Sequence, residues 1–158
     1  MDKMFNNHEL SKYTGVKVIS YKKLFQMDNL ELPLIILYEV NKNYGHWTCV
    51  FKGIDKNGKE VIEFFDSTGQ IPDDHNEALH LNYYPYLLYL MDKTGLPIVY
   101  NEKRLQKSAP HINTCGRWVL ARLWLSDMVL EDFQKIFNHR NSDELVTRFT
   151  DQVIKEVF

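Results

Sequence analysis

Three segments in the first half of the chain constrain its fold most strongly. Residues 34–40 form a continuous apolar run typical of a buried strand, and residues 46–51 and Glu60–Phe65 predict two further strands. Between the last two, residues 55–58 (DKNG) place Asp and Gly at the first and fourth positions of a type I turn. This pattern favours a three-residue hairpin loop with Gly58 in the left-handed conformation.

The register of this hairpin decides which polar side chains share a face. If Asp55 pairs with Lys59, His46 and Asp66 lie on the same face, one diagonal step apart, with about 7–8 Å between their Cα atoms. A two-residue Asn57-Gly58 loop would instead send them to opposite faces. The turn signature favours the first register, which gives an imidazole base and an acid that can hold it in one tautomer.

The rest of the chain is predicted to be mainly helical. Segments 41–45 and 72–83 are expected to be loops, and residues 96–100 predict a short strand. A capping-box pattern at residues 141–144 starts a last helix that ends near Phe158. Because no repeat or linker is visible, we expect one domain over residues 1–158, of the α+β class. Apolar spacing and helix signals predict the other helices over 7–13, 85–93, 115–125 and about 130–137.

Cys115 is the candidate nucleophile. It begins a predicted helix with a broad apolar face, which we expect to be central and to be capped by Asn113 or Thr114. The unpaired N–H groups and the dipole at a helix start favour negative charge, and a protonated His46 nearby would favour the thiolate further. Gly116 carries no side chain, so a substrate carbonyl can approach the backbone closely.

Gln106 completes a set of four polar residues in the order His46, Asp66, Gln106, Cys115. Its amide can donate to an oxyanion beside the backbone N–H of Cys115, and one such donor is commonly worth about 3–4 kcal/mol in rate. A thiol, a base, an orienting acid and an oxyanion donor are the groups that a cysteine hydrolase needs. Taken singly, each residue has a commoner structural role, so the prediction depends on all four together.

The overall composition allows a packed core and argues against several classes of protein. The 158 residues are 44% hydrophobic, and their formal net charge of -2 gives no support for a nucleic-acid footprint. No stretch reaches the roughly 20 apolar residues of a membrane span, and residues 1–7 lack the apolar core of a signal peptide. We therefore expect neither membrane association nor secretion, and both cysteines, Cys49 and Cys115, as reduced thiols.

A metal site would be another use of cysteine and histidine. His46-x-x-Cys49 resembles a ligand spacing, but on a strand these side chains point to opposite faces, which leaves Cys49 buried on the side of Trp47. The chain has no Cys-x-x-Cys pair, so we expect no metal and no cofactor. Three arginines are expected to be solvated or ion-paired, the first of them alternatively touching substrate: Arg117, Arg122 and Arg140.

The order of these motifs resembles the adenain-like and ubiquitin-like-protease clan of cysteine peptidases. GHW at 45–47, FDS at 65–67 and TCG at 114–116 are close to the clan's pattern, and the resemblance runs from about Ile35 to Trp124. It implies a papain-like fold of the adenain type, with a central mixed sheet packed against a buried helix that carries the nucleophile. The implied roles are nucleophile, general base and acid, orienting acid and oxyanion donor for Cys115, His46, Asp66 and Gln106.

The resemblance also implies a narrow substrate channel. Trp47 would shield the His–Cys pair and line, with Gly45 and Gly116, the channel for the residues that precede the cut. Such enzymes commonly cut after small residues, often Gly-Gly or Gly-Ala. Two features depart from the clan: Gln106 lies farther before the cysteine, with Pro110 available in a loop that absorbs the extra length, and the chain is short, as in the viral maturation enzymes.

The leading hypothesis is a cysteine endopeptidase that cleaves viral capsid or core precursors at small-residue, Gly-rich sites during virion maturation. The alternative is an isopeptidase that removes ubiquitin or a ubiquitin-like protein such as SUMO. An acetyltransferase and a non-enzymatic capsid or scaffold domain are further hypotheses. The resemblance implies a monomer in the host cytoplasm, virus factory or virion, with a protein or peptide substrate and, in some relatives, an activating peptide.

Overall fold

The computed structural model describes residues 4–41, 44–74, 85–107 and 113–158, in which most strands lie in the first part and most helices in the last. The strands are β1 (Lys17–Ser20), β2 (Leu34–Asn41), β3 (Tyr44–Ile54), β4 (Glu60–Phe65) and β5 (Ile98–Tyr100). The helices are α1 (Asn7–Thr14), α2 (Tyr86–Asp92), α3 (Cys115–Trp124), α4 (Leu130–Phe137) and α5 (Ser142–Val157). A 3₁₀ helix over Tyr21–Gln26 follows β1.

The strands form a sheet in the order β1-β2-β3-β4-β5. The outer pairs, β1 with β2 and β4 with β5, are parallel, whereas the two central pairs are antiparallel. The sheet is therefore mixed, and together with the helices it confirms the predicted α+β class. This order puts β3, which carries His46, in the middle of the sheet, next to β4, which leads into Asp66.

The hairpin between β3 and β4 has the register that its turn predicts. Ile54 pairs with Glu60, and the backbone N–H of Asp55 donates to the carbonyl oxygen of Lys59 at 2.9 Å. The Asp55 side chain accepts two backbone N–H groups of the turn, and Gly58 has a φ of 76°, the left-handed conformation that glycine adopts without strain. The three-residue loop is confirmed, and it fixes the face on which every later residue of β4 lies.

Each face of the sheet has its own hydrophobic core. On one face, Cys49 and Phe65 pack with residues of α3, α4 and α5. On the other, Val50 and Phe64 pack with α2 and the 3₁₀ helix. α3 is buried from Gly116 to Arg122, which confirms the expectation of a central helix that begins at the candidate nucleophile.

Some predicted boundaries are wrong. The loop expected over residues 41–45 is shorter, because β2 continues to Asn41 and β3 already begins at Tyr44. Residues 42 and 43 between them, and most of the predicted loop 72–83, lie outside the described residues. β1 and the 3₁₀ helix are not predicted from the sequence, because such short segments show little hydrophobic periodicity.

The predicted side-chain caps of α3 and α5 are also wrong, because tertiary hydrogen bonds take their polar groups. Thr114, rather than Asn113, occupies the cap position of α3, but its hydroxyl bonds to Asp143. Asn141 occupies the cap position of α5 and makes no side-chain capping bond. The side chains of Ser142 and Asp143 instead bond to the backbone of Leu105 and Lys107. These bonds matter for the site described below.

Two of the three singled-out arginines are ion-pair partners and are not solvated. Arg117 and Arg122 are 4% and 1% exposed. Arg122 donates two hydrogen bonds to Glu63, at 2.7 and 2.9 Å, and Arg117 donates one to Asp151 at 2.7 Å. For Arg117 and Arg122 the second of the two expected roles, ion pairing, is therefore confirmed, whereas Arg140 is exposed, as expected of a solvated side chain.

Candidate active site

His46 and Asp66 form a direct hydrogen bond at one end of the sheet. The His46 Nε2 atom lies 2.7 Å from Oδ1 of Asp66, and the Asp66 side chain is fully buried. The same carboxylate oxygen accepts the backbone N–H of Thr68 at 2.8 Å and its hydroxyl at 2.6 Å. Hydrogen bonds of this kind favour the charged carboxylate, which in turn holds the imidazole in one orientation.

Asn101 fixes the backbone of Asp66, and no sequence motif singles it out. The Asp66 N–H donates to Oδ1 of Asn101 at 3.0 Å, and the Asn101 amide donates back to the Asp66 carbonyl at 2.6 Å. Asn101 follows β5, which pairs in parallel with β4, so both residues come directly after neighbouring strands. A prediction that β4 pairs with β5 would have indicated this contact. The sequence predicts the second of these strands, which is only three residues long, but does not show which strand it pairs with.

His46 also hydrogen-bonds the side chain of Cys115, and these two partners set its protonation state. Burial lowers the pKa of His46, but hydrogen bonds to Asp66 and Cys115 and the charges of both groups outweigh burial and raise it from 6.5 to about 10. The raised pKa favours the imidazolium form of His46 at neutral pH. A thiol next to an imidazolium is the arrangement that favours a thiolate–imidazolium pair.

The contact between His46 and Cys115 depends on tertiary structure. By strand alternation His46 shares a face with Thr48 and Val50, whereas α3 packs against the opposite face, beside Cys49. His46 lies near the start of β3 and Cys115 at the first position of α3. The hydrogen bond therefore joins the start of β3 to the start of α3. At this end of the sheet, a side chain can reach past the last paired residues to the other face.

Gln106 lies in the same pocket and is held by Ser67. The Ser67 hydroxyl donates to Oε1 of Gln106 at 2.7 Å, and the Ser67 carbonyl accepts the backbone N–H groups of Gln106 and Leu105. Because its oxygen is engaged, the amide of Gln106 offers its NH₂ group as the donor. Gln106 is only 8% exposed, and it lines a cavity with Cys115. Gln106 and Cys115 therefore line the same cavity, whereas Pro110 and the rest of residues 108–112 lie outside the described residues.

The cavity beside the thiol is small and has a wall that the sequence does not reveal. It measures about 70 Å³. The wall comes from the segment before α1: Phe5 is buried against Gly116, where an added Cβ would meet Phe5 atoms at 3.4 and 3.6 Å. The lining consists of six of the seven candidate site residues, without Asp66, two residues of that segment, and Asn113: Met4, Phe5, Gly45, His46, Trp47, Gln106, Asn113, Cys115 and Gly116.

A larger groove adjoins this cavity and shares Trp47 and Gly45 with it. Its volume is about 500 Å³, and β1, β2 and the segment before α1 supply the other walls. Packing around Gly45 is tight, since a Cβ there would come within 2.5 Å of Cδ1 of Leu37 and would displace that side chain. Trp47 and Gly45 therefore line both the cavity beside the thiol and this groove. Arg117 lines neither space.

Neither a membrane span nor a metal-ligand cluster is found in the described part of the chain. None of its helices combines the length and the apolar character that crossing a bilayer requires. Likewise, within residues 4–41, 44–74, 85–107 and 113–158, no three acidic, histidine or cysteine side chains come together as metal ligands. Cys49, which shares a spacing with His46, is fully buried in the core on the opposite face.

Comparison with known proteins links the chain to a virophage. It is 36% identical over 153 residues to "Uncharacterized protein V9" of Sputnik virophage, and the alignment covers 85% of each of the two chains. No family model matches the chain. Identity of this level over most of both sequences indicates common descent.

Proposed function

Because the chain belongs to the same family as protein V9 of Sputnik virophage, we propose that it is a viral cysteine endopeptidase with a papain-like fold of the adenain type. The observation that carries the proposal is the chain of hydrogen bonds from Asp66 through His46 to Cys115. Gln106 on the wall of the same cavity supports it further, because it supplies the fourth group that acyl transfer needs.

In the proposed reaction, Cys115 is the nucleophile and His46 carries the proton. The thiolate attacks the scissile carbonyl, and the carbonyl oxygen becomes an oxyanion that accepts hydrogen bonds from the Gln106 amide and the Cys115 backbone N–H. The His46 imidazolium then protonates the departing amine, which leaves an acyl-enzyme. Water, deprotonated by the neutral imidazole, hydrolyses the thioester and regenerates the thiol. Asp66 keeps Nε2 of His46 engaged, so the other ring nitrogen faces the sulfur.

The two spaces on either side of Trp47 support a preference for small residues at the cut. Only about 70 Å³ is open beside Cys115, whereas the adjoining groove offers about 500 Å³. Residues without bulky side chains, such as glycine and alanine, fit beside the thiol, and residues farther from the cut fit the groove. We therefore propose cleavage after Gly-Gly or Gly-Ala, with Trp47, Gly45 and Gly116 as substrate-binding residues.

The virophage relative favours a viral substrate. The name of this relative specifies no activity. The relative therefore supports a viral origin, and the residues around the cavity support thiol-dependent peptide cleavage. We propose capsid or core precursor proteins as the natural substrates, cleaved during virion maturation in the host cytoplasm, virus factory or virion.

A peptide-library cleavage profile tests this proposal. The purified chain is incubated with a mixed library, and new termini are identified by mass spectrometry, with Cys115→Ala as the control. We expect cuts that follow small residues in the wild type and none in the variant. Cleavage that survives in Cys115→Ala would show that another protein is responsible.

Activity-based probes separate the proposed endopeptidase from the other hypotheses. Ubiquitin and SUMO carrying a thiol-reactive C-terminal group should label Cys115 no faster than a short Gly-Gly peptide with the same reactive group. Preferential labelling by either protein would contradict the substrate class and favour the isopeptidase. Acetyl transfer from acetyl-CoA without peptide cleavage would instead favour the acetyltransferase.

A further inference from the structure

Asp143, the second residue of α5, is a buried acid that the proposed reaction does not use. It is 3% exposed, and each of its carboxylate oxygens is engaged. One oxygen accepts the backbone N–H of Lys107 at 2.8 Å. The other accepts the Trp118 indole N–H at 3.0 Å and the Thr114 hydroxyl. Three donors satisfy the hydrogen-bonding capacity that a buried carboxylate needs. The Asp143 side chain is therefore held in one position.

One of these contacts, together with a bond from the neighbouring Ser142, places α5 against the oxyanion donor. Lys107 directly follows Gln106 in the chain, and on the other side the Ser142 hydroxyl donates to the Leu105 carbonyl at 2.6 Å. The first two residues of α5 thus hold the residues before and after Gln106. Ser67 holds Gln106 itself, so the donor is fixed from two directions.

The other two contacts place the same carboxylate against the nucleophile helix. Thr114 directly precedes Cys115, and Trp118 lies about one helical turn after it. Asp143 therefore bridges the backbone that carries the oxyanion donor and the start of the helix that carries the thiol. Residues 108–113 separate these two segments along the chain, and the carboxylate spans them directly.

We propose that Asp143 is a positioning residue that sets the gap between the Gln106 amide and the Cys115 thiol. The inference rests on the proposed peptidase function, because acyl transfer uses both groups at once. Oxyanion donors act within about 2.7–3.1 Å of the developing oxygen, and a displacement of about 1 Å can cost roughly 10²-fold in rate. Asp143 lines neither the cavity nor the groove, so it acts through Lys107 and Thr114.

Asp143→Asn is the sharpest variant, because it keeps the side-chain size and removes one acceptor. In one orientation its NH₂ group faces the Lys107 N–H, and in the other it faces the Trp118 N–H, so two donors oppose each other either way. Glu144→Gln is the matched control. It removes the same charge from the next residue of α5, where Glu144 is exposed and bonds Arg148 on its own helix.

Two reagents separate the oxyanion from the thiolate. With a peptide aldehyde, the Sγ–C bond to Cys115 forms as the carbonyl π bond breaks, and the carbonyl oxygen takes the proton that His46 releases, giving a hemithioacetal. That oxygen occupies the place of the oxyanion and uses the Gln106 amide. With iodoacetamide, the Sγ–C bond forms as the C–I bond breaks and iodide leaves, so no oxyanion is made.

For Asp143→Asn we expect kcat on the best library peptide to fall by about 10- to 100-fold, with KM within about 2-fold of wild type. The affinity for the aldehyde should weaken by a similar factor, while the iodoacetamide rate at Cys115 stays within about 3-fold. Glu144→Gln should match the wild type throughout. If Asp143→Asn does not fold by circular dichroism, Thr114→Val, which loses one bond, should show the same pattern, and Thr114→Ser should restore activity.

Three outcomes would overturn the inference, and they identify which proposal is at fault. An unchanged kcat in Asp143→Asn or Thr114→Val removes the positioning role and leaves the peptidase proposal intact. An iodoacetamide rate that falls as much as the aldehyde affinity also removes it, because Asp143 then only supports the fold. A wild-type chain that neither cleaves peptides nor binds the aldehyde defeats the proposed function, and this inference with it.

Discussion

Two buried acid–base pairs are attached to β4, and they have opposite surroundings. Glu63 bonds Arg122 through two hydrogen bonds, and the two side chains are 2% and 1% exposed. Asp66, just beyond the end of the strand, bonds His46, whose side chain is 15% exposed and faces a cavity. The first pair is sealed by protein on all sides: the Arg122 guanidinium lies over the rings of Phe51 and Phe133 and also bonds two backbone carbonyls.

Each pair acts on one of the two cysteines, and the outcomes differ. Burial raises the pKa of Cys49, the charge of Glu63 raises it further, and Arg122 offsets only part of this, so Cys49 is an inert core thiol. Cys115 is half-buried, opens into the cavity and bonds His46. A buried ion pair therefore does not by itself make a neighbouring thiol reactive. The thiol must also be accessible to solvent and substrate, and its partner must be a base that can exchange a proton.

The largest effect should come from removing the base of the open pair. His46→Ala takes away both proton transfer and the partner of the thiolate, so we expect turnover of the best peptide to fall by about 10⁴-fold. The free energy of unfolding should change only slightly in comparison with the activation free energy that this loss of turnover represents. The reason is that Thr68 and Asn101 still hold Asp66. Steady-state kinetics and urea unfolding measure the two quantities, with exposed His8→Ala as the control.

The two thiols should differ next most strongly. Cys49 can be alkylated only when the core opens, and core opening in domains costs several kcal/mol. We expect iodoacetamide to modify Cys115 about 10³-fold faster than Cys49 at neutral pH, as followed by mass spectrometry of the intact and digested protein. In Cys115→Ala, labelling of Cys49 should begin only as urea unfolds the chain. Equal rates in the native protein would mean that Cys115 is not activated.

Breaking the sealed pair should affect stability and spare the chemistry. Glu63→Gln leaves the buried Arg122 charge without its partner, so we expect the free energy of unfolding to drop by about 3 kcal/mol. The iodoacetamide rate at Cys115 should stay close to the wild-type value under conditions where the variant is folded. Urea titration gives the first quantity, and Glu60→Gln, an exposed position at the start of the same strand, is the control. A loss of Cys115 reactivity in folded Glu63→Gln would contradict this prediction, because it would show that the two pairs are coupled.

The smallest effect should follow from neutralising the acid of the open pair. Asp66→Asn removes a charge that raises the pKa of His46, so the titration midpoint should move down from about 10. Because a raised pKa stabilises the folded protein below the unfolded value of 6.5 and this stabilisation is lost as pH rises toward 10, the variant should lose its share of that stability at neutral pH.

Nuclear magnetic resonance of the histidine ring measures this shift directly, with His46→Gln used to assign the resonance. We expect Asp66→Asn to reduce turnover by about 10²-fold, less than His46→Ala, because the base is still present but less well oriented. An unchanged midpoint would show that Cys115, and not Asp66, governs the protonation of His46.

The open pair could be predicted from the sequence because its geometry is local. The DKNG turn sets the hairpin register, and the register alone places His46 and Asp66 on one face. The fold class and the buried helix at Cys115 follow similarly from strand and helix periodicity. Contacts that join distant segments are less accessible, since the approach of His46 to the start of α3 depends on how the helix packs against the sheet.

Other features escape prediction because tertiary partners override local preferences. Ser142 and Asp143 lie in a capping pattern, yet their side chains hydrogen-bond the backbone of Leu105 and Lys107 instead of the start of their own helix. Arg122 sits in a helix, where arginine is usually solvated, yet Glu63 on the inner face of β4 draws it into the core. A charged residue in an otherwise apolar strand is the signal that could have indicated this pair.

The bridge made by Asp143 has a consequence for when the candidate site is completed. The ribosome adds residue 143 after all four candidate catalytic groups, so a nascent chain that already displays Cys115 still lacks the contact that joins the start of α3 to Lys107. Under the proposed function, the thiol and the amide acquire their spacing only after the start of α5 has left the ribosome.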